Sequence, residues 1–412
     1  MEKIQNVQLN NSRLRSDIEE LAAIGRDPRG GISRPSFSKA DLEAREWLKA
    51  KIKDSGLNVR QDGAGNIFGR MEGEGKTIMA GSHIDTVFNG GKYDGSIGVL
   101  SALECLRRIH EENIPVKRPL EVAAFTDEEG NLVGDFLGSR AFLGLLDKNL
   151  LEKEITQFGT PLVEVLERTE FTIDSIMEAY KDRPELEAYL EIHIEQGTVL
   201  ETEDKPIGIV DRIAGKRHRL CSFLGKASHS GTTPFELRHD AFLGLADFAL
   251  KCTRYTASEH YGSLVTIGKV FVFPGAFSII PEKADFSLDF RSISAETLEE
   301  MDKHFLTLAD DIASTRGLEF RSAVVDKTDP VETAPRIVTL LEELCSEMEF
   351  PYQKMASGAG HDAQILASAS DAGMIFIPCT DGISHAPDEK IQWEHLEKGA
   401  ALLFQALLRL AS

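Results

Sequence analysis

The chain has 412 residues, 42% of them hydrophobic and 27% charged, with a formal net charge of -21. That length exceeds one ordinary core and predicts two domains. The acidic surplus excludes a basic nucleic-acid-binding surface, and no window approaches the ~18–20 apolar residues of a membrane span. The five cysteines, Cys105, Cys221, Cys252, Cys345 and Cys379, are scattered without a CxxC pair. Reduced thiols and a cytoplasmic protein are expected, the more so because the N-terminal stretch lacks the apolar core of a signal peptide.

The first predicted element in chain order is a helix, "SKADLEAREWLKAKIKDSG", with Ser38 as its cap and Asp41 as the matching acid three residues on. Leu42, Trp47, Leu48 and Ile52 form its apolar stripe. Short strands follow at 66–71, 77–82 and 120–126. Between the last two, "GVLSALECLRRIHEENI" repeats Val99, Leu103 and Leu106 at helical spacing. Strand, helix, strand is the pattern of an α/β domain, whose functional groups belong at the carboxyl ends of the strands. In "AYLEIHIEQG", Leu190, Ile192 and Ile194 alternate with Glu191, His193 and Glu195. From about residue 216 the order becomes strand 217–224, helix 240–256, strands 263–272 and 284–291, helix 295–315, strand 318–325. That β-α-β-β-α-β order predicts a ferredoxin-like unit. A helix (335–348), a strand (374–378) and a last helix (393–410) resume the first pattern. The expected fold is therefore a discontinuous α/β domain, 1–212 with 330–412, interrupted by an inserted α+β domain, 213–329.

Ionisable groups gather at the strand ends. "EVAAFTDEEGN" runs an apolar strand into Asp127, Glu128 and Glu129; "GSHIDTV" places His83 and Asp85 after a strand; "KYDGSIG" places Asp94 in a glycine-rich turn before a helix. His193 lies on the polar face of its strand, and His385 follows another strand in "GISHAPDE". Singly these have ordinary readings, such as a turn-forming Asp before Gly95. Together His83, Asp94, Glu129, His193 and His385 suit a pair of divalent ions of the zinc, manganese, cobalt or nickel kind, with no thiolate needed. Asp94 can bridge with its two oxygens. Adjacent residues at a strand end point in different directions, so Glu129 can bind metal while Glu128 serves as general base. Asp85 is placed to accept the other ring N–H of His83, and Asp127 is expected to have no direct role.

At these residues the chain resembles the co-catalytic metal aminoacylase and carboxypeptidase superfamily, in its hydantoinase/carbamoylase branch. The matching stretches are "GSHIDTVFNGGKYDGSIGVL", "DEEG" with "GSRAFLG", "LEIHIEQGTVLE", "KASHSGTTPFELRHDA", "SIIPEKADFSLDFRS", "SGAGHDAQ" and "GISHAPDE". The resemblance implies a phosphorylase/hydrolase-like catalytic domain, its mixed sheet flanked by helices, with the insertion as lid and dimerisation domain. It implies one ion on His83 and His193, the other on Glu129 and His385, with Asp94 between them and Glu128 as base. It further implies that His229 polarises the scissile carbonyl in the partner subunit's site, that Arg291 clamps a substrate carboxylate, and that Gln196 and Gly360 line the substrate pocket.

Three departures bear on the substrate. Asn131, Leu132 and Val133 stand where the branch usually has Ser-Arg-Phe; Gly275 and Ser278 replace two asparagines; and Lys216 and Arg217, followed by His218, stand at a Gln-Arg pair. Ser278 and His218 thereby fall at substrate-facing positions. The expected activity is hydrolysis of the ureido C–N bond of a small carboxylate-bearing substrate by a homodimer. An N-carbamoyl-L-amino acid is the first choice and allantoate the second. An aminoacylase or dipeptidase, or a non-catalytic carboxylate binder, are further alternatives.

Overall fold

Ser38 caps the first predicted helix, its hydroxyl accepting the Asp41 N–H at 3.2 Å, and the helix runs Lys39–Asp54 in the computed structural model, which describes residues 7–412. Asp41 does not complete a reciprocal box with Ser38. Its buried carboxylate accepts the Phe37 N–H at 2.8 Å and pairs with Arg45 at 2.6 Å. The buried stripe is consequently Ala44, Leu48 and Ile52, with Leu42 and Trp47 only half-buried.

The chain divides into two units, one holding the chain up to Asp211 with Glu332–Ser412, the other Arg212–Val331. Among the described residues the strands in chain order are β1 (Asn58–Gln61), β2 (Ile67–Met71), β3 (Thr77–His83), β4 (Leu120–Phe125), β5 (Leu186–Ile194), β6 (Ile207–Ile213), β7 (Gly215–Leu224), β8 (Leu264–Thr266), β9 (Val270–Phe273), β10 (Lys283–Ser292), β11 (Glu319–Thr328), β12 (Val331–Glu332), β13 (Tyr352–Ser357) and β14 (Asp371–Ile377). The larger unit is built on a mixed sheet in the order β1-β2-β4-β3-β5-β14-β6-β12, with β13 also on β6. Its middle four strands, β4, β3, β5 and β14, are parallel, whereas β2 and β6 join them antiparallel. Parallel strands are covered on both faces, and β3 and β4 are buried at every position. All four therefore end at the same edge, which is where chemistry can be assembled.

The helix Ser96–Glu111 joins β3 to β4 and is buried nearly all round, as a helix enclosed by neighbours must be. It packs on β3 and beneath the helices Asn11–Ala23 and Trp393–Ala411. Its buried Glu104 is matched by Arg13 at 2.7 Å, which removes the cost of an unpaired interior charge.

In the smaller unit the sheet order is β11-β7-β10-β8, with β9 also on β10, and every pair is antiparallel. The helices Ala241–Glu259 and Ala295–Arg316 bury Phe248 and Phe305 against Phe223, Phe286 and Phe290 of the sheet. Along β10, Ala284, Phe286, Leu288 and Phe290 are buried, while Lys283, Asp285, Ser287, Asp289 and Arg291 alternate with them. The single strand expected over 263–272 is two strands, β8 and β9. The ladder breaks at Gly268 and Lys269, where the Lys269 N–H is taken by the Ser287 hydroxyl at 2.9 Å.

Candidate metal centre

The apolar run of β4 ends at Phe125, and the next residues turn sharply. Asp127 adopts φ +57°, and its carboxylate accepts the N–H groups of Asn131, Leu132 and Val133 at 2.9–3.2 Å. This side chain thus holds the loop that aims its two neighbours. Glu128 Oε2 lies 3.5 Å from His83 Nε2, and Glu129 Oε2 lies 3.4 Å from His385 Nε2. The adjacent carboxylates face different partners.

β3 and β5 supply two histidines at matching positions. Their ladder ends at Ala80↔Leu190, and three residues further each strand carries one, His83 and His193. Both Nε2 atoms approach the same oxygen, Asp94 Oδ1, at 3.4 and 3.3 Å. The other oxygen, Asp94 Oδ2, is 3.4 Å from His385 Nε2. Asp94 reaches this position because Gly95, at φ +63°, turns the chain into the following helix; a Cβ there would come 2.4 Å from the His83 ring. Two triads result, His83–Asp94–His193 and Asp94–Glu129–His385, each with its ligand atoms within 4.8 Å of one another.

The triads fit divalent ions. Two ligands ~2.1 Å from a tetrahedral ion lie ~3.4 Å apart, which is the spacing the N and O atoms adopt here. His83 Nε2 is buried without a hydrogen-bond partner, an arrangement that otherwise carries a desolvation cost. Burial holds the Glu128 carboxyl well above the usual range, and burial with the charge of Asp94 pushes Glu129 up to about 7. Burial acts on Asp94 in the same sense, but His193, His385 and His83 together hold it well below that range. Cations among these groups would relieve the crowding of carboxylates.

The rings are oriented by main-chain carbonyls. His83 Nδ1 donates to the Asp85 carbonyl oxygen at 3.0 Å and His193 Nδ1 to that of Ile194 at 2.9 Å, which turns both Nε2 atoms towards Asp94. The Asp85 carboxylate, expected to perform this task for His83, stands 3.7 Å from the ring nitrogen and accepts the Glu129 N–H at 3.4 Å. The β5 alternation also separates roles. Glu191 accepts the Ser82 hydroxyl at 2.7 Å, and Glu195 caps the helix Val199–Thr202 through the Val199 and Leu200 N–H groups at 2.7 and 2.8 Å.

Gln196, expected at the substrate, donates to Asp94 Oδ2 at 2.7 Å. Gly360 packs so closely that a Cβ would lie 2.6 Å from the Phe136 ring. His361 is buried with its ring 4.6 Å from that of His193 and its Nε2 3.0 Å from the Ser357 hydroxyl; the adjacent Asp362 is buried, and burial with the Glu191 charge pushes it up to about 8. Ser384 and Glu389, which the sequence reading passed over, also reach Asp94. Ser384 adjoins His385 in "SHAPDE", which is a local signal; Glu389, four residues beyond, carries none.

Within the smaller unit, His218 and Arg291 flank one carboxylate. Asp289 receives Arg291 at 3.0 Å and lies 3.5 Å from His218 Nε2. His229 is exposed, its Nδ1 accepting the Gly231 N–H at 3.1 Å, and Ser278, also exposed, accepts the Ser230 N–H through its carbonyl at 2.9 Å.

A mixed sheet that gathers two carboxylate-histidine triads beyond the ends of its parallel strands is a scaffold suited to divalent ions. Residues 79–409 match the model of peptidase family M20/M25/M40, and the chain belongs to that family. It is 35% identical to an N-carbamoyl-L-amino-acid amidohydrolase of Pseudomonas sp. (strain NS671), over 98% of this chain and 100% of that one. It is 32% identical to an allantoate amidohydrolase of Bacillus subtilis (strain 168), over the full length of both. A crystal structure of a hydantoinase/carbamoylase family amidase from Burkholderia multivorans superposes with a TM-score of 0.87 at 32% identity, covering 98% of each chain. Within the family the chain falls in this hydantoinase/carbamoylase branch, and it is a hydrolase acting on non-peptide C–N bonds.

Proposed function

We propose that the protein hydrolyses the ureido C–N bond of N-carbamoyl-L-amino acids, giving amino acid, ammonia and carbon dioxide. One observation carries the chemistry: Asp94 is shared between two triads while Glu128, beside them, belongs to neither. The substrate class is supported by the similarity to the Pseudomonas amidohydrolase.

His83 and His193 would hold one ion, Glu129 and His385 the other, with Asp94 common to both. Bound there, two divalent ions supply Lewis acidity, polarising a carbonyl and bringing a water's pKa towards ~7. Glu128 takes the proton of the attacking water and passes it to the leaving nitrogen. His229 donates to the developing oxyanion in the partner subunit's site, a contribution of a few kcal/mol in such sites. Arg291 holds the substrate carboxylate through its planar pair of N–H groups. Gln196, His218, Ser278 and Gly360 complete the substrate surroundings. In this reading the unit Arg212–Val331 is a ferredoxin-like lid through which the protein dimerises. The strand order of that unit and its two helices support that reading, and five free, buried cysteines support a cytoplasmic setting. No helix among the described residues is long and apolar enough to cross a membrane.

Allantoate is the second reading, favoured by the full-length similarity to the Bacillus subtilis enzyme. It ranks second because Asn131, Leu132 and Val133 replace the branch's Ser-Arg-Phe, and their amides are engaged by Asp127. Ammonia release from the zinc- or manganese-loaded protein, screened over carbamoyl amino acids, allantoate and acyl amino acids, tests the assignment. Turnover of carbamoyl amino acids is expected. Turnover of allantoate alone selects the second reading, and no turnover of any of them contradicts both.

Arg291→Lys is expected to raise KM for carboxylate substrates roughly 10-fold or more, because a charge-assisted hydrogen bond of ~1.5–3 kcal/mol is lost. Steady-state kinetics check this; an unchanged KM places the clamp on another residue.

A further inference from the structure

The proton-transfer chemistry makes no use of one buried carboxylate next to the triads. Glu389 is 3% exposed. Its Oε1 accepts the Tyr93 N–H at 2.7 Å and the Asp94 N–H at 3.2 Å, and its Oε2 lies 3.0 Å from Ser384 Oγ. The Ser384 hydroxyl in turn reaches Asp94 Oδ2 at 2.6 Å. A single glutamate thus grips the main chain of the Asp94 turn and, through one hydroxyl, the Asp94 carboxylate itself.

The surrounding backbone is shaped for this contact. A Cβ on Gly91 would lie 2.1 Å from the Glu389 carboxylate, so only glycine leaves room for it. The loop 379–391 is closed at its base by the Cys379↔Ile391 bridge and by the Thr380 N–H on the Lys390 carbonyl at 2.8 Å. Inside that loop His385 sits at φ +55°. A non-glycine residue holds that conformation only where its surroundings fix it. Ser384 on one side and Glu389 on the other provide the anchors, nearly 300 residues away from the turn they bind.

We infer that Glu389 is a positioning residue: with Ser384 it locks the His385 loop to the Asp94 turn, so that the Asp94–Glu129–His385 triad is formed before any ion arrives. The inference rests on reading the triads as ion sites. Ser384 has one hydroxyl proton for two carboxylate acceptors, Asp94 Oδ2 at 2.6 Å and Glu389 Oε2 at 3.0 Å. A side chain at position 389 that donates to Ser384 Oγ and accepts the two amides therefore serves as well, which makes Glu389→Gln the conservative replacement and Glu389→Leu the disruptive one.

The test is calorimetric titration of metal-free protein with manganese(II), paired with thermal melts of the same samples. Glu389→Leu is expected to weaken manganese binding by about 10–100-fold, as loss of an outer partner of a metal ligand does. Ser384→Ala is expected to weaken it less, and Glu389→Gln to stay within a few-fold of wild type. A purely structural Glu389 would lower the melting temperature while the folded variant bound manganese as wild type does, and that result overturns the inference. A loss in Glu389→Gln as large as in Glu389→Leu overturns it also. If Glu389→Leu does not fold, Ser384→Ala decides, and unchanged affinity there counts against the inference. Wild-type protein that takes up no manganese sinks the ion-site reading itself, a result distinct from all of these.

Discussion

Glu128→Gln is expected to retain its metal ions and lose about 10²–10⁴-fold in kcat, the range that a positioned general base contributes. The amide preserves the volume and one oxygen of the side chain, and Glu128 belongs to neither triad. What disappears is the capacity to accept the water's proton and return it to the leaving nitrogen. KM should change little, because the interaction lost is made chiefly in the transition state. Metal content of the purified variant, measured beside kcat and KM, checks the prediction. Near-normal kcat would remove Glu128 from the mechanism; loss of metal would make it a ligand.

Asp94→Asn should damage metal binding as well as turnover, for a geometric reason. Asp94 Oδ1 faces His83 and His193, and Oδ2 faces His385, Gln196 and Ser384. Only a carboxylate offers an acceptor on both sides. An asparagine must turn its NH2 group towards one side or the other, where it meets either ring nitrogens or the N–H and O–H donors of Gln196 and Ser384. At least one ion site is therefore lost whichever way the amide turns, and with it several kcal/mol of charge stabilisation, about 10²–10³-fold or more in rate. Metal content and turnover of the folded variant test this together. An Asp94→Asn protein with two ions per chain and wild-type turnover would contradict the sharing.

How far this site was legible in the sequence depends on the distance over which each feature acts. His83, Asp94, His193 and the Asp127–Glu129 run announced themselves because each sits at a strand end or in a turn, where alternation and glycine placement are local signals. The α/β pattern of the larger unit was likewise visible in the strand-helix-strand run from β3 to β4. The helix Asn11–Ala23 was passed over although Leu14, Ile18 and Leu21 recur at helical spacing, because Arg13, Arg15, Asp17, Glu19 and Glu20 crowd the stripe with charge. Two of those charges, Arg13 and Asp17, are in fact engaged with Glu104 and Arg107 of another helix. Glu389 was invisible for a similar reason: its partners Tyr93 and Asp94 lie far away in the chain, and nothing local distinguishes it from a solvated acid. The same holds for Asp85, where a two-residue spacing suggested a carboxylate contact that the main-chain carbonyl makes instead. Arg291, which the resemblance implies as a substrate clamp, pairs with Asp289, two residues away on the same face of its strand, a partner the sequence analysis did not name.

The central claim is that side chains far apart in sequence converge on two divalent ions with Asp94 between them. Anomalous diffraction from a zinc-soaked crystal tests it most directly. Two peaks are predicted in each chain, one ~2.0–2.2 Å from ligand atoms of His83, Asp94 and His193, the other at the same range from Asp94, Glu129 and His385. A map with no peak among these residues, or with zinc bound only elsewhere, would contradict it.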